Sequence, residues 1–212
     1  MIFPPLYAVV DHGVALNYGW RVPQLAKAYL EGGARLLQIR AVGVHSGALL
    51  AWCDEVIEAA RSYGALVIVN DRADVARMSG AAGVHIGQAD LQISAVRQLL
   101  PEGAIVGLST HSKEQVDQAA RQAVGYVAVG PVYDTTTKAT GYRAVGLELV
   151  QIAANLRPRW PVVGIGGITL ESAGDVFRVG GSAVAVISDL LVGGDPAQRV
   201  RDYIDALAPF EK

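Results

Sequence analysis

The sequence predicts an α/β protein folded as one domain, residues 1–212, with the architecture of a (β/α)8 TIM barrel. Eight short apolar runs recur along the chain, and stretches with helical spacing lie between them. The runs are continuously hydrophobic rather than alternating, which is typical of strands covered on both faces. Regular alternation of strand and helix predicts parallel strands joined by right-handed crossovers, and eight such units close into a barrel.

The eight runs divide the 212 residues into units of about 26 residues, which suits a compact barrel. Helical spacing is clearest over 49–60, 116–123 and 200–207, where apolar residues step by three and four. Glycines suited to a left-handed helix end precede later runs, as at Gly80 and Gly180. The predicted strands are Leu6–Val10, Leu36–Ile39, Leu66–Val69, Gly83–Ile86, Ile105–Leu108, Tyr126–Val129, Val162–Ile165 and Ala183–Ile187.

A doubly wound sheet with a nucleotide-binding crevice is the strongest alternative fold. Such a sheet usually carries a G-x-G-x-x-G motif after its first strand. Here Asp11-His12-Gly13 follows the first apolar run instead. The sequence therefore favours the barrel.

Composition and charge exclude several kinds of partner. The net charge is −2 and no stretch clusters Lys or Arg, so we expect no nucleic acid partner. We also expect a cytoplasmic protein without a membrane partner, because no apolar run reaches about 20 residues and no signal peptide is recognisable. The single Cys53 cannot form an internal disulfide, and its helical surroundings indicate a packing role. Association into a homo-oligomer is left open.

Polar residues follow most of the predicted strands, at the ends where a barrel of this kind places its active site. If the barrel prediction is right, these groups face one mouth. They are Gln38 and Arg40, Asn70 and Asp71, Asp90, Ser109 and His111, the segment Gly130–Lys138, Gly166-Gly167, and Ser188.

Two of these groups are carboxylates that follow neighbouring strands. Asp71 comes after the third strand and Asp90 after the fourth, so both side chains could approach one cation. Hard oxygen ligands that leave room for water and substrate phosphates describe a Mg2+ site. The alternative is that Asp71 and Asp90 cap the helices expected to begin near Asp74 and Ile93.

A second set of groups suits a phosphorylated ligand. The segment Gly130–Lys138 carries three threonines and a lysine on a long loop, and such loops often bind ligands or close over them. A solvated surface loop is the alternative. Gly166-Gly167 and Ser188 occupy the position where barrels commonly bind phosphate, with a helix expected to start near Thr169.

Motifs distributed along the whole chain match one enzyme family in order and in spacing. They are Gln38-Ile39-Arg40, Val69–Asp74, Gly83–Asp90, Gly107–Ser112, Gly130–Tyr133, Thr135–Lys138 and Gly164–Ile168. Through them the chain, from Leu6 to the final helix, resembles thiamine phosphate synthases. The resemblance implies a Mg2+-dependent transferase that joins hydroxymethylpyrimidine diphosphate to hydroxyethylthiazole phosphate, or to its carboxylate, and releases pyrophosphate.

The resemblance also implies a role for each group at the mouth. Asp71 and Asp90 would bind Mg2+, and Gln38 and Ser109 would contact the pyrimidine. The implied catalytic residues are Arg40, Lys138 and Ser109. The diphosphate would be held by Arg40, Asn70 and Lys138, and the thiazole phosphate by Thr135, Thr137, Gly166, Gly167 and Ser188.

One position departs from the family pattern. Members usually read Gln-x-Arg-x-Lys after the second strand, whereas this chain has Val42 at the lysine position. One lost charge-assisted contact costs about 1.5–3 kcal/mol, which is small beside the roughly 8–23 kcal/mol that enzymes supply. We therefore expect weaker diphosphate binding rather than loss of activity. His45 could lend a hydrogen bond there, or it begins the next helix.

Two alternative functions remain open. A related thiazole tautomerase uses a histidine after the fifth strand for proton transfer, a role that His111 would fill, and Val42 also favours it. Asn70-Asp71, Asp90 and Thr135–Lys138 favour the synthase. The second alternative is a non-catalytic thiamine-phosphate binding protein. His85, inside the fourth strand, is interpreted as a hydrogen-bonded interior residue, and no role is assigned to His12.

Overall fold

The fold is a closed parallel barrel of eight strands, which confirms the predicted architecture. The computed structural model describes residues 3–135, 142–156 and 160–210. Neighbouring strands pair in sequence order, and the first strand also pairs with the eighth. The strands are β1 (Leu6–Asp11), β2 (Leu36–Arg40), β3 (Leu66–Asn70), β4 (Gly83–Ile86), β5 (Ile105–Thr110), β6 (Tyr126–Val129), β7 (Val162–Ile165) and β8 (Ala183–Val186).

Helices follow the strands and form the outer layer. Gly80 ends one of them in a left-handed conformation, as predicted. The helical stretch predicted over 116–123 is shorter than expected, because its helix ends at Ala119. The α-helices are α1 (His12–Asn17), α2 (Val22–Glu31), α3 (Ser46–Arg61), α4 (Ala73–Ser79), α5 (Ile93–Leu99), α6 (Lys113–Ala119), α7 (Gly146–Asn155), α8 (Ala173–Arg178) and α9 (Pro196–Leu207), and 3-10 helices span Ser188–Leu191 and Ala208–Phe210. No helix in the described ranges is long and apolar enough to cross a membrane.

Two hydrophobic cores result from the alternation of side chains along each strand. One core lies between the strands and the helices, and the other fills the barrel interior. Phe3 is partly buried and packs against the interior core. Its ring centroid lies 5.3 Å from that of Tyr126 and 6.4 Å from that of Tyr7. The interior residues are Tyr7, Val9, Leu36, Ile68, Tyr126, Ala128, Val163, Ala183 and Ala185.

The parallel strands bring all their C-terminal ends to one face of the barrel. Asp11 is paired with Arg40 across β1 and β2, and Asn70 with His85 across β3 and β4. Ser109 lies opposite Ala128 near the end of β5. The polar groups predicted to share a mouth therefore follow strands that end on the same side of the molecule.

Candidate active site

Asp71 and Asp90 lie at adjacent strand ends. Asp71 has a left-handed backbone (φ 61°), which Asp tolerates better than most residues. Its amide donates a 2.7 Å hydrogen bond to the carbonyl of His85, and so the end of β3 is held against β4. Asp90 Oδ2 accepts a 2.7 Å hydrogen bond from the amide of Gly87, just beyond β4. Both acidic residues thus border the same short stretch of backbone.

The helices that Asp71 and Asp90 were expected to cap begin directly after other residues. Arg72 precedes α4 and Gln92 precedes α5, and neither of these two residues makes a side-chain capping hydrogen bond. The Asp90 carboxylate instead closes its own loop onto Gly87. Two carboxylates on neighbouring loops fit a Mg2+ ion, which prefers hard oxygen ligands and keeps several positions for water and phosphate. No larger group of potential metal ligands occurs in the part of the chain that the structure describes.

A cleft of about 560 Å³ opens beside the ends of β6, β7 and β8. Its lining includes Thr135, Gly166, Gly167 and Ser188, so it brings together the described residues predicted to bind the thiazole phosphate. The helix expected near Thr169 begins only at Ala173. The cleft is consequently formed by a glycine turn and the start of the 3-10 helix at Ser188, not by a long helix N-terminus.

The two glycines of this turn are required by their surroundings. Gly166 and Gly167 have φ angles of 96° and 65°. A Cβ on Gly166 would lie 2.5 Å from Pro131 Cβ, and one on Gly167 would lie 2.6 Å from the carbonyl oxygen of Asp134. A backbone packed this closely and free of side chains can approach a phosphate ligand directly.

Asp189 joins three elements behind the cleft. Its Oδ2 accepts hydrogen bonds from the Leu170 amide (3.2 Å), from Arg199 Nη2 (2.8 Å) and from the Tyr203 hydroxyl (2.6 Å). Burial, followed by the hydrogen bond to Asp189, raises the pKa of Tyr203 above its usual range. The Asp189 carboxylate therefore connects the 3-10 helix that begins at Ser188 to the segment after β7 and to helix α9.

Arg40, expected to hold the diphosphate, forms an ion pair with Asp11 at the end of the neighbouring strand. Only 17% of the Arg40 side chain and 8% of the Asp11 side chain are exposed. Asp11 Oδ1 also accepts a 2.9 Å hydrogen bond from the Val14 amide and so caps α1. No role was assigned to Asp11 from the sequence, although it directly follows the first apolar run and so carries the signal that identified the others.

Gln38 and Ser109 face the barrel interior from β2 and β5. Gln38 Nε2 donates to the Tyr7 hydroxyl (2.9 Å), and Ser109 Oγ lies 2.9 Å from His85 Nε2. The Tyr126 hydroxyl lies 2.8 Å from both the Tyr7 hydroxyl and His85 Nδ1, which completes a continuous chain of hydrogen bonds. His85 is buried and hydrogen-bonded, as predicted.

The other histidines have distinct surroundings. The His12 ring lies 5.0 Å from that of Trp52, and His45 immediately precedes α3, in agreement with its interpretation as a helix start. His111 Nδ1 contacts the carbonyl of Gly130 at 2.5 Å, and its ring stacks on Tyr142 with 3.9 Å between centroids. Val42, on the loop after β2, is 66% exposed.

Thr137 and Lys138 lie outside the described residues, as does most of the chain between Thr135 and Tyr142. Besides Arg40, the remaining predicted site residues form three groups. Asp71 and Asp90 are beside β3 and β4, and Gln38 is linked to Ser109 through the interior. The cleft beside β6 to β8 is the third group. Asn70, the last residue of β3, precedes Asp71 and pairs with His85.

A closed (β/α)8 barrel with a glycine-lined cleft and paired carboxylates at its mouth defines an enzyme that acts on small phosphorylated molecules. A family model described as "Thiamine monophosphate synthase" matches residues 6–190. The chain therefore belongs to the thiamine monophosphate synthase family, and it is a transferase.

Individual relatives agree with this assignment. The thiamine-phosphate synthase of Methanospirillum hungatei is 38% identical over 202 residues, which cover 95% of this chain and 97% of the relative. That of Caldicellulosiruptor saccharolyticus is 35% identical over 189 residues, covering 89% and 85%. The solved structure of a thiamine phosphate pyrophosphorylase from Pyrococcus furiosus superposes with a TM-score of 0.88 at 27% identity and covers 98% of this chain and 96% of that one.

Proposed function

We propose that the protein joins 4-amino-5-hydroxymethyl-2-methylpyrimidine diphosphate to hydroxyethylthiazole phosphate, or to its carboxylate, and releases pyrophosphate. One observation carries the proposal. The glycine-lined cleft, the Asp71 and Asp90 pair, and the ends of the strands β2 and β5, which carry Gln38 and Ser109, lie at the same end of one barrel, which supports the proposal. Two phosphorylated substrates can therefore bind side by side.

The reaction needs charge stabilisation more than proton transfer. The C–O bond of the pyrimidine substrate breaks, and the diphosphate leaves with the electron pair. The lone pair of the thiazole nitrogen then forms the new C–N bond with the pyrimidinylmethyl cation. Fixed positive groups around the leaving diphosphate stabilise the charge that develops on it in the transition state.

Three residues would provide this stabilisation. Arg40, Asn70 and Lys138 would hold the diphosphate, and Ser109 would orient the pyrimidine with Gln38. Arg40 is already fixed at the mouth by Asp11, so it needs little rearrangement to meet an anion. Asp71 and Asp90 would hold Mg2+, which when bound neutralises charge on the diphosphate.

The thiazole phosphate would occupy the cleft beside β6 to β8. Gly166 and Gly167 leave the backbone open to a phosphate group there, and Thr135, Thr137 and Ser188 would add hydroxyl donors. Tyr142 and Ile168 also line this cleft and would shield the cation from water.

Incubation with both phosphorylated substrates and Mg2+ tests the proposal, with mass spectrometry of the products. We expect thiamine phosphate and pyrophosphate, complete inhibition by a chelator, and recovery when Mg2+ is restored. Isomerisation of thiazole carboxylate phosphate without metal would instead identify a tautomerase. Binding of thiamine phosphate without turnover would identify a binding protein.

A matched pair of arginine variants tests the placement of the site. Arg40→Gln removes a cation at the C-terminal end of β2, and Arg35→Gln removes an exposed one just before the same strand. We expect Arg40→Gln to lower kcat/KM for the pyrimidine substrate by about 10- to 150-fold, because one charge-assisted contact is lost. Arg35→Gln should leave kcat/KM unchanged.

A further inference from the structure

A chain of five side chains crosses the barrel interior between β2 and β5. It runs from Gln38 through Tyr7, Tyr126 and His85 to Ser109, and its four contacts measure 2.9, 2.8, 2.8 and 2.9 Å. The three intermediate residues come from β1, β6 and β4 and are at most 6% exposed. Its two ends are the residues that the proposed function assigns to the pyrimidine.

The positions of the protons along this chain follow from its first contact. Gln38 donates to the Tyr7 oxygen, so the single Tyr7 proton is directed to Tyr126. The Tyr126 proton is then directed to His85 Nδ1, which accepts it. A neutral His85 ring consequently carries its own proton on Nε2 and donates to Ser109 Oγ.

The two tyrosines remain protonated throughout the physiological range. Burial raises the pKa of Tyr7, and burial followed by the nearby Tyr7 raises the pKa of Tyr126. A doubly protonated His85 would donate from both nitrogens. The Tyr126 hydroxyl would then accept from His85 Nδ1 and direct its own proton to Tyr7. The Tyr7 oxygen would accept hydrogen bonds from both Gln38 and Tyr126, and its own proton would have no acceptor in this chain. A neutral His85 ring therefore fits the hydrogen-bond chain better.

We propose that Tyr7, Tyr126 and His85 are positioning residues that set Gln38 as an acceptor and Ser109 as a donor toward the pyrimidine. Because Gln38 Nε2 donates to Tyr7, Gln38 Oε1 points away from Tyr7 and can accept a hydrogen bond from a ligand. Because Ser109 Oγ accepts from His85, its hydroxyl proton can be donated to a ligand. An aminopyrimidine matches this pattern, since its exocyclic amine donates and its ring nitrogen accepts. The proposal rests on the proposed function, in which Gln38 and Ser109 contact this ring.

The analogue with a 4-oxo group in place of the 4-amino group has the opposite pattern. Its exocyclic oxygen accepts, and the adjacent ring nitrogen carries a proton. Binding it would require rotation of the Gln38 amide and movement of every proton in the chain. Two unsatisfied buried contacts should lower its affinity by about 100-fold or more.

Calorimetric binding of the amino and oxo pyrimidine diphosphates, both with Mg2+, tests the proposal. We expect the wild type to prefer the amino compound by about 100-fold or more, and Tyr126→Phe to reduce this ratio by at least about tenfold, because it separates the two ends of the chain. Tyr29→Phe is the matched control, since the Tyr29 hydroxyl is also buried but has no hydrogen-bond partner in the described structure. An unchanged ratio in Tyr126→Phe would overturn the proposal. If that variant does not fold, Tyr7→Phe makes the same test.

The tautomer of His85 gives a second readout that is independent of turnover. Nitrogen-15 NMR of the ring should show a proton on Nε2 and none on Nδ1 in the wild type, and this assignment should change in Tyr126→Phe. A proton on Nδ1 of His85 in the wild type would contradict the proposed direction of the hydrogen bonds from Gln38 to Ser109. Neither measurement uses the thiazole substrate, so a wild type that keeps the selectivity and tautomer but makes no thiamine phosphate would overturn the proposed function alone.

Discussion

The amide of Asp71 donates a 2.7 Å hydrogen bond to the carbonyl of His85 and thereby fixes a left-handed aspartate against the strand that leads to Asp90. A strained non-glycine residue at the mouth of a barrel is the kind of feature that functional sites retain. The bond holds the loop after β3 against β4, so that the two aspartates proposed to bind Mg2+ lie on neighbouring loops.

Asp71→Asn should reduce the rate of thiamine phosphate synthesis by at least about 100-fold, because one oxygen ligand of the proposed Mg2+ site loses its charge. Asn tolerates the left-handed backbone, so the fold should be unaffected. Thiazole phosphate binding, measured by calorimetry, should change little. Asp74→Asn, three residues later and more than half exposed, is the control. Equal losses of synthesis and thiazole binding in Asp71→Asn would contradict the metal role.

Val42→Lys should strengthen binding of the pyrimidine diphosphate. A lysine at this exposed position restores the cation usual in the family, and we expect KM for that substrate to fall by about tenfold or more. Steady-state kinetics with saturating thiazole phosphate measures the effect. Met78→Lys adds the same charge at a 69% exposed position on α4 and should not alter KM. A similar decrease in both variants would indicate a general electrostatic effect.

Gly167→Ala should destabilise the phosphate cleft. The new Cβ would lie 2.6 Å from the carbonyl oxygen of Asp134, so the turn must shift, and KM for thiazole phosphate should rise by at least about tenfold. Gly64→Ala is closely matched in backbone strain, with φ 60° against 65°, but a Cβ there meets nothing within 4 Å. Measuring both KM and the thermal midpoint of each variant separates the effect of the Cβ clash on the cleft from the effect of backbone strain on stability. The prediction fails if both variants raise KM equally.

Asp189→Ala should lower the free energy of unfolding by about 2 kcal/mol, because Arg199 and Tyr203 lose a common acceptor in a largely buried position. Urea unfolding followed by circular dichroism measures the change. Asp117→Ala, which removes the exposed partner of Lys113, should have little effect. A change no larger than that of Asp117→Ala would show that Asp189 does not brace the segment at Ser188.

Cys53 should be unreactive in the folded protein. Burial, with a smaller contribution from the Asp54 charge, raises the pKa of its thiol to about 12. At pH 8 roughly one thiol in ten thousand is then ionised, and the thiolate is the reactive species. Alkylation followed by mass spectrometry should therefore be slow in buffer and rapid in urea. Fast labelling of the native protein would disprove the packing role.

The sequence predicted the fold well because each strand of a barrel is buried on both faces. The runs Gly83–Ile86, Tyr126–Val129 and Val162–Ile165 coincide with β4, β6 and β7. The polar strand ends predicted the mouth for a related reason, since parallel strands all end on one side. The sequence alone therefore places Asp71 and Gly167 at the mouth of the barrel.

The interior hydrogen-bond chain was not predicted. Tyr7, Tyr126 and His85 lie within apolar runs, and hydrophobicity alone does not distinguish the side chains that face the barrel axis from those that face the helices. Counting alternate residues from Gln38 and Ser109 identifies interior positions on β2 and β5 but not on the strands that carry Tyr7, Tyr126 and His85. The distances between hydroxyl groups on different strands depend on strand register, which the sequence does not encode locally.

The aromatic rings of Phe3, Tyr7 and Tyr126 pack against one another at the end of the barrel interior where the strands begin. With that end packed by aromatic rings, a ligand reaches the barrel from the opposite end, where the strands terminate.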